Sequence, residues 1–268
     1  VQLDLITPVL LTWNEEPNLR RCLDRLRWAR TVVIIDSGST DSTAAIAAEF
    51  PNTRLSVRSF DSHTLQWNHG IDSAETPWVL SLDADYILGH GFEDELATLD
   101  PDTPNDAFFS AFRYLVFGRP LRSCLYPQRA VLFRKTVCRY IQDGHTQTLH
   151  IPGSSGQLHS KIDHDDRKPL SRWITSQDNY AQLEAAKLLS SPRHELRRQD
   201  RLRLTGWAAV PAVLLYTLLV KGALWDGWHG WFYTLQRTLA EIMLALRLTE
   251  ARQTSSAPRT RTKPSAAH

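Results

Sequence analysis

Apolar runs alternate with helix-spaced patterns through the first hundred residues. Residues 5–11, 31–35 and 54–57 are short strand-like runs, and 78–82 (Trp-Val-Leu-Ser-Leu) is another. The last of these reads as a short buried strand. Between them, 17–29, 43–50 and 64–74 repeat apolar residues at helical spacing, with Leu19, Leu23 and Leu26 on one face and Asn14 near the cap of the first. Strand and helix in strict alternation predict βαβ units around a parallel sheet. From Asp106 the texture changes: 107–117 and 129–134 are β-like without intervening helices, so a mixed second half is expected.

Helical patterns return at 169–189, where Trp173, Gln177, Tyr180 and Glu184 recur every three or four residues, and at the basic stretch 194–204. Residues 206–220 then carry no charge, but these 15 residues fall short of the ~20 that cross a bilayer. Lys221 interrupts the run, and 222–230 is dense in Trp and Gly. Trp207, Trp225, Trp228, Trp231, Phe232 and Tyr233 are residue types that favour the headgroup level, so helices lying in or dipping into a membrane interface are expected. The same pattern also fits a buried helical hairpin.

Charge sharpens this division. The 268-residue chain has a formal net charge of only +2, yet residues 186–268 hold 13 basic against 5 acidic side chains. An acidic front and a basic, Trp-rich back predict a catalytic body joined to a segment that meets anionic lipid. The expected organisation is a catalytic domain over 1–190, a membrane-interface segment over 191–252, and a disordered tail over 253–268 rich in Ser, Thr, Pro and basic residues. No basic region followed by an apolar one opens the chain, so no secretory signal is read there. Cys22, Cys124 and Cys138 lack C-x-x-C spacing and fit plain thiols in a reducing compartment, with a Cys124–Cys138 bridge left open.

The chemistry gathers at strand ends. Asp83-Ala84-Asp85 follows the fourth strand directly, and ligands of open α/β sheets bind at that edge. Two carboxylates two residues apart repel each other unless a cation or strong donors stand by, which suits a hard divalent ion holding phosphates. A solvated turn is the plain alternative. Thr12-Trp13-Asn14-Glu15-Glu16 follows strand one, Asp36-Ser37-Gly38-Ser39-Thr40-Asp41 follows strand two, and Asn68-His69-Gly70 lies on the helix before strand four. Together these outline a nucleotide cleft. No P-loop or G-x-G-x-x-G pattern occurs, which argues against an ATPase or dinucleotide enzyme.

On TWNEEPNLRRCLDRLRW, VVIIDSGSTDST and WNHGIDSAETPWVLSLDAD, in that order, the chain resembles family 2 glycosyltransferases of the GT-A fold. DGHTQTL, GQLHSKIDH, LSRWITSQDNYAQLEAAKL and KGALWDGWHGW are similar to the bacterial branch that includes lipopolysaccharide-core glucosyltransferases. The resemblance implies that Leu11, Thr12, Asn14, Glu15, Glu16, Asp36, Ser37, Asn68 and Asp83 border the nucleotide. Asp85, with Asp83 and His164, would hold Mg²⁺ or Mn²⁺. Asp143 would be the base, with His145 or Asp163 as substitutes. Arg167 and Lys168 would neutralise phosphate, and His145, Trp173, Gln177 and Tyr180 would face the acceptor. The chain departs from common relatives at Ser37 and Tyr86, where a further Asp is frequent, and at His145-Thr146, where core relatives have His-Glu.

The strand-end motifs and the resemblance together imply a metal-dependent inverting transferase. It would move a sugar from a nucleotide-sugar to a lipid-linked or lipopolysaccharide/exopolysaccharide-type acceptor. It would act at the cytoplasmic face of the inner membrane, without nucleic acid. A nucleotidyltransferase of related fold and a catalytically inactive membrane-binding scaffold are the alternatives. The first normally has a Gly-rich basic loop after strand one, where this chain has Asn14-Glu15-Glu16.

Overall fold

A computed structural model describes residues 1–143 and 146–256, with the side chains of 143, 146, 255 and 256 also left outside the description. In the first half, β1 (Ile6–Thr12), α1 (Leu19–Asp24), β2 (Val32–Asp36), α2 (Thr43–Ala48), β3 (Thr53–Val57), α3 (His63–Ser73) and β4 (Trp78–Asp83) alternate as the pattern predicts. The mixed half comes next: β5 (Tyr86–Leu88), α4 (Phe92–Thr98), β6 (Asn105–Ser110), β7 (Phe112–Val116), β8 (Arg119–Pro120) and β9 (Arg129–Arg134). Then come β10 (Arg139–Asp143), β11 (Thr146–His150), β12 (Ser154–Gln157) and β13 (Ile162–His164).

Seven strands form the main sheet in the order β12-β6-β9-β4-β1-β2-β3. β3, β2, β1 and β4 run parallel, whereas β9 lies antiparallel to both its neighbours, β4 and β6. Burial on both faces explains the unbroken apolar runs: Val9, Leu10, Ile34, Ile35, Leu80 and Leu82 are fully inside. The parallel register sets Thr12 opposite Asp36 and Leu11 opposite Asp83. All three strand-end motifs therefore open on one edge.

A second sheet, β5-β13-β7-β8, stands beside that edge. Its register places Tyr86, His164 and Tyr114 side by side across three strands. The β10–β11 hairpin packs on α3, where Asn68 exchanges hydrogen bonds with the backbone of Tyr140 at 2.9 and 3.0 Å and Thr64 donates to Gln142 at 2.8 Å.

The carboxyl-terminal part is helical: α5 (Leu170–Ser190), α6 (Arg198–Arg203), α7 (Ala209–Leu215) running into a π-helical turn (Tyr216–Val220), a 3-10 turn (Ala223–Asp226), and α8 (Gly227–Ser256). The basic stretch expected as one helix over 194–204 is helical only from Arg198. Residues 253–256 of the expected tail are helical, since α8 continues to Ser256, and the rest of that tail lies outside the described residues. Ala181, Ala185 and Leu188 of α5 close a small core with Leu244 and Leu248 of α8. The Arg247–Asp178 and Arg203–Glu241 ion pairs flank it at 2.6 and 2.5 Å. All three cysteines are free thiols, so no Cys124–Cys138 bridge forms.

Candidate active site

The loops after β1 and β2 interlock. Thr12 donates its hydroxyl to Asp36 Oδ1 at 2.7 Å, and Asp36 Oδ2 accepts the backbone N–H groups of Gly38 and Ser39 at 3.0 and 2.7 Å. The Ser39 hydroxyl also donates to Oδ1 at 2.5 Å. Asp36 is buried with both oxygens engaged, so it shapes the loop. Asn14 takes a left-handed φ of 54°, which an Asn tolerates better than most residues. Its side chain accepts the Thr40 N–H at 2.7 Å, and its own N–H donates to the Ser39 hydroxyl at 2.7 Å. Glu16 bridges to the N–H of Ser42 at 3.3 Å, and Ser37 accepts from Gln66 at 3.0 Å.

Asn68 uses both ends of its amide to tie α3 to β10, which leaves one N–H and one oxygen lone pair for a further contact. One expectation is corrected here. Asp163, offered as a substitute base, points to the opposite face of β13 from His164 and forms a two-pronged pair with Arg113 at 2.6 and 2.8 Å.

At the end of β4 the arrangement is different. Asp83 is half-buried and makes no side-chain hydrogen bond with any described residue. Asp85 Oδ2 meets His164 Nε2 at 3.1 Å, while Asp85 Oδ1 and His164 Nδ1 are buried without a partner among the described residues. Burial works against charge on both groups. Their mutual attraction outweighs it, holding the Asp85 carboxyl below its ordinary range, with help from Lys168, and raising the His164 imidazole. Tyr86, Tyr114 and Tyr126 surround the imidazole with ring centroids at 5.4, 5.0 and 4.8 Å.

The segment after His164 is no solvated turn. Asp165 is buried and receives the guanidinium groups of Arg21 and Arg167 at 2.5 and 2.8 Å. Arg167 is thus paired with a buried carboxylate while its own side chain stays 38% exposed. Lys168 pairs with Glu15 at 2.5 Å, and Asn18 donates to the other Glu15 oxygen at 3.0 Å. Even so, burial and the nearby Asp85 charge push Glu15 up to about 7. Arg172 caps the β1 loop, donating to the carbonyls of Asn14 and Trp13 at 2.7 and 2.5 Å with its guanidinium over the Trp13 ring.

Trp173, Gln177 and Tyr180 remain partly or largely exposed on α5, while its core face is Ala181, Ala185 and Leu188. Partial desolvation, then the charge of Asp83, raises the Tyr180 phenol. Asp143 ends β10 with its side chain outside the described residues, and His145 lies outside them altogether. The pattern missed Tyr114, Tyr126 and Arg129. Arg129 lies over the Tyr126 ring at 4.8 Å, makes no side-chain hydrogen bond with a described residue, and, though exposed to solvent, is held strongly protonated by its tyrosine neighbours and Asp83 against partial desolvation. An isolated Arg at a strand start carries no sequence signal that could have marked it.

The parallel half-sheet, the strand-end acidic pair and the second sheet beside it define a GT-A-like nucleotide-sugar transferase fold. Residues 8–120 match the family model "Glycosyl transferase family 2". It is 28% identical over 98 residues to the lipopolysaccharide core biosynthesis glycosyltransferase LpsC of Rhizobium meliloti, spanning 35% of this chain and 36% of that one. An uncharacterized glycosyltransferase of Rickettsia felis is 21% identical over 202 residues, 70% of this chain and 71% of its own. In fold, the mannosyltransferase PcManGT of Pyrobaculum calidifontis superposes with a TM-score of 0.52 at 16% identity, over 94% of this chain and 88% of that chain.

Proposed function

We propose that the chain is a metal-dependent, inverting glycosyltransferase. It transfers a hexose from a nucleotide-sugar, UDP being the first base to try, to a lipid-linked or saccharide acceptor of the cell envelope. The observation that carries this is the β4 edge: an unpartnered Asp83, and an Asp85 whose Oδ1 is buried and orphaned beside His164. An unpaired buried carboxylate oxygen is costly unless a ligand completes it.

The side chains fit a divalent ion in chemistry. Two carboxylates and an imidazole suit Mn²⁺ or Mg²⁺ shared with phosphate oxygens. Among the described residues no three metal-ligating side chains already stand together, so the diphosphate itself would complete the shell. Asp85 and His164 would hold the ion, and Asp83 the ribose or a bound water. When bound, the ion would neutralise the departing nucleoside diphosphate. PcManGT, similar in fold, was solved with GDP-Man and Mn²⁺, which supports testing a nucleotide-sugar together with Mn²⁺ here.

Asp143 is the base we favour. β10 runs along α3 toward the helix start that faces the β4 edge, so its last residue would meet the acceptor hydroxyl and accept its proton. Trp173, Gln177 and Tyr180 would line the acceptor side. The acceptor's lipid would enter from a membrane surface held by the carboxyl-terminal helices. Among the described residues no single helix is long and apolar enough to cross a membrane, but Ala209–Val220 with Ala223–Thr254, bent by 67°, passes as a pair. Monotopic seating on the cytoplasmic face is the reading we adopt.

A panel of nucleotide-sugars incubated with and without Mn²⁺ tests the proposal. Metal-dependent release of nucleoside diphosphate is expected from one of them, falling about 10²-fold or more in Asp85→Ala. Pyrophosphate release from a nucleoside triphosphate, or unchanged turnover in Asp85→Ala, would overturn it.

A further inference from the structure

The turn that opens α8 faces two ways. Trp225 is 77% exposed and Trp228 58%, yet Asp226 between them is 6% exposed. The Asp226 carboxylate accepts the Arg122 N–H at 3.1 Å, the Ser123 N–H at 3.1 Å and the Ser123 hydroxyl at 2.9 Å. Two turns further along α8, the Tyr233 hydroxyl accepts the Leu125 N–H at 3.2 Å, and its ring packs on Tyr114 with centroids 4.7 Å apart. Residues 121–128 belong to no strand, so the helix supplies hydrogen-bond partners that a sheet would otherwise give.

That segment delivers two side chains to the cleft. Tyr126 meets the Tyr86 hydroxyl at 2.5 Å and stands edge-on to His164. Arg129 stacks on Tyr126, and its guanidinium makes no hydrogen bond with a described residue. A planar cation with its fork unfilled, beside the Asp83–Asp85 edge, matches a diphosphate oxygen pair.

We propose that Asp226 and Tyr233 are positioning residues: from the helical hairpin they hold Tyr126 and Arg129 at the diphosphate end of the cleft, so affinity for a nucleoside diphosphate depends on this clamp. The proposal rests on the nucleotide-sugar reading given above. It assigns a role in the cleft to a carboxylate in the Trp-rich turn, more than a hundred positions from the loop it grips.

The test is calorimetric titration of UDP and of GDP, each with Mn²⁺, into the full chain, with uridine and guanosine as competitors that lack the diphosphate. Whichever diphosphate binds the parent should bind Asp226→Asn about tenfold more weakly, since charged hydrogen bonds are being lost upstream of a charged contact. The matching nucleoside should compete within about twofold of its strength on the parent. In the Arg129→Ala background, Asp226→Asn should add less than about twofold, because both act through one contact. Tyr233→Phe, which removes a single hydroxyl, should give a smaller loss and decides the matter if Asp226→Asn does not fold. Diphosphate affinity within twofold of the parent in the variants, or an additive cycle, overturns the proposal. A parent that binds neither nucleotide overturns the nucleotide reading itself, and that is seen before any variant is made.

Discussion

Glu15 sits where its charge is unwelcome. It is 8% exposed, its partner Lys168 offsets only part of the burial, and Asp85 adds repulsion, so the carboxyl rises from its ordinary 4.5 to about 7. Between those values the folded protein holds a proton that the unfolded chain has released. Stability from this group therefore falls as pH rises from about 4.5 to about 7, by at most about 3.5 kcal/mol, and is level above that. Glu15→Gln should flatten that part of the Tm-against-pH curve. An unchanged curve would mean that Lys168 keeps Glu15 ionised throughout. At this scale the sequence is most informative where residue type and strand-end position coincide, as at Asp83 and Asp85. At Asp36 and Asn68 it marks polar residues correctly placed along the chain but not the hydrogen bonds each already makes within the protein. Which partner a side chain takes depends on a strand or loop far away in sequence, and periodicity carries no trace of it.

The strand and helix order of the first half could be read from apolar spacing because burial on both faces leaves a signal in every residue. The antiparallel placement of β9 could not, since a run of apolar residues has the same pattern in either direction. Nor could the length of α8: Trp and Gly at its start look like a broken segment, yet one helix continues for 30 residues. Gly230 shows why glycine is there. A Cβ at that position would lie 1.9 Å from the carbonyl oxygen of Ala223 and 2.9 Å from Asp226 Cβ, so the 3-10 turn can approach the helix only across a bare backbone. Helix propensity alone would make Gly230→Ala stabilising by about 1 kcal/mol. The contact predicts the opposite sign, a loss of about 2–3 kcal/mol, read from chemical denaturation of the full chain. Since the same turn carries Asp226, Gly230→Ala should weaken nucleoside diphosphate binding as well.

Across the whole molecule, the basic excess beyond residue 186 and the exposed aromatic side chains coincide on one helical hairpin. Trp207, Leu219, Val220, Trp225 and Trp228 are all more than half exposed, while Tyr233 and Leu248 on the same hairpin are buried. Scattered apolar residues on a surface need no explanation, but a cluster of this size marks a surface that something covers. Trp at its rim and Lys221 beside it favour lipid headgroups over a protein partner. Replacing both Trp225 and Trp228 by Ala removes roughly 1–2 kcal/mol of interfacial burial per ring and should lower partitioning onto anionic phosphatidylglycerol vesicles at least about tenfold. Raising salt should weaken what remains, because the Lys and Arg contribution is screened within about 10 Å. Nucleoside diphosphate affinity in solution should be unchanged, since both rings are more than half exposed and neither makes a hydrogen bond of the Asp226 clamp. Loss of vesicle binding with that affinity intact would separate membrane seating from the cleft. Vesicle binding that survives the double replacement would send the search for the membrane-facing surface to the exposed side of α7 and its π-turn, where Leu215, Leu219 and Val220 stand.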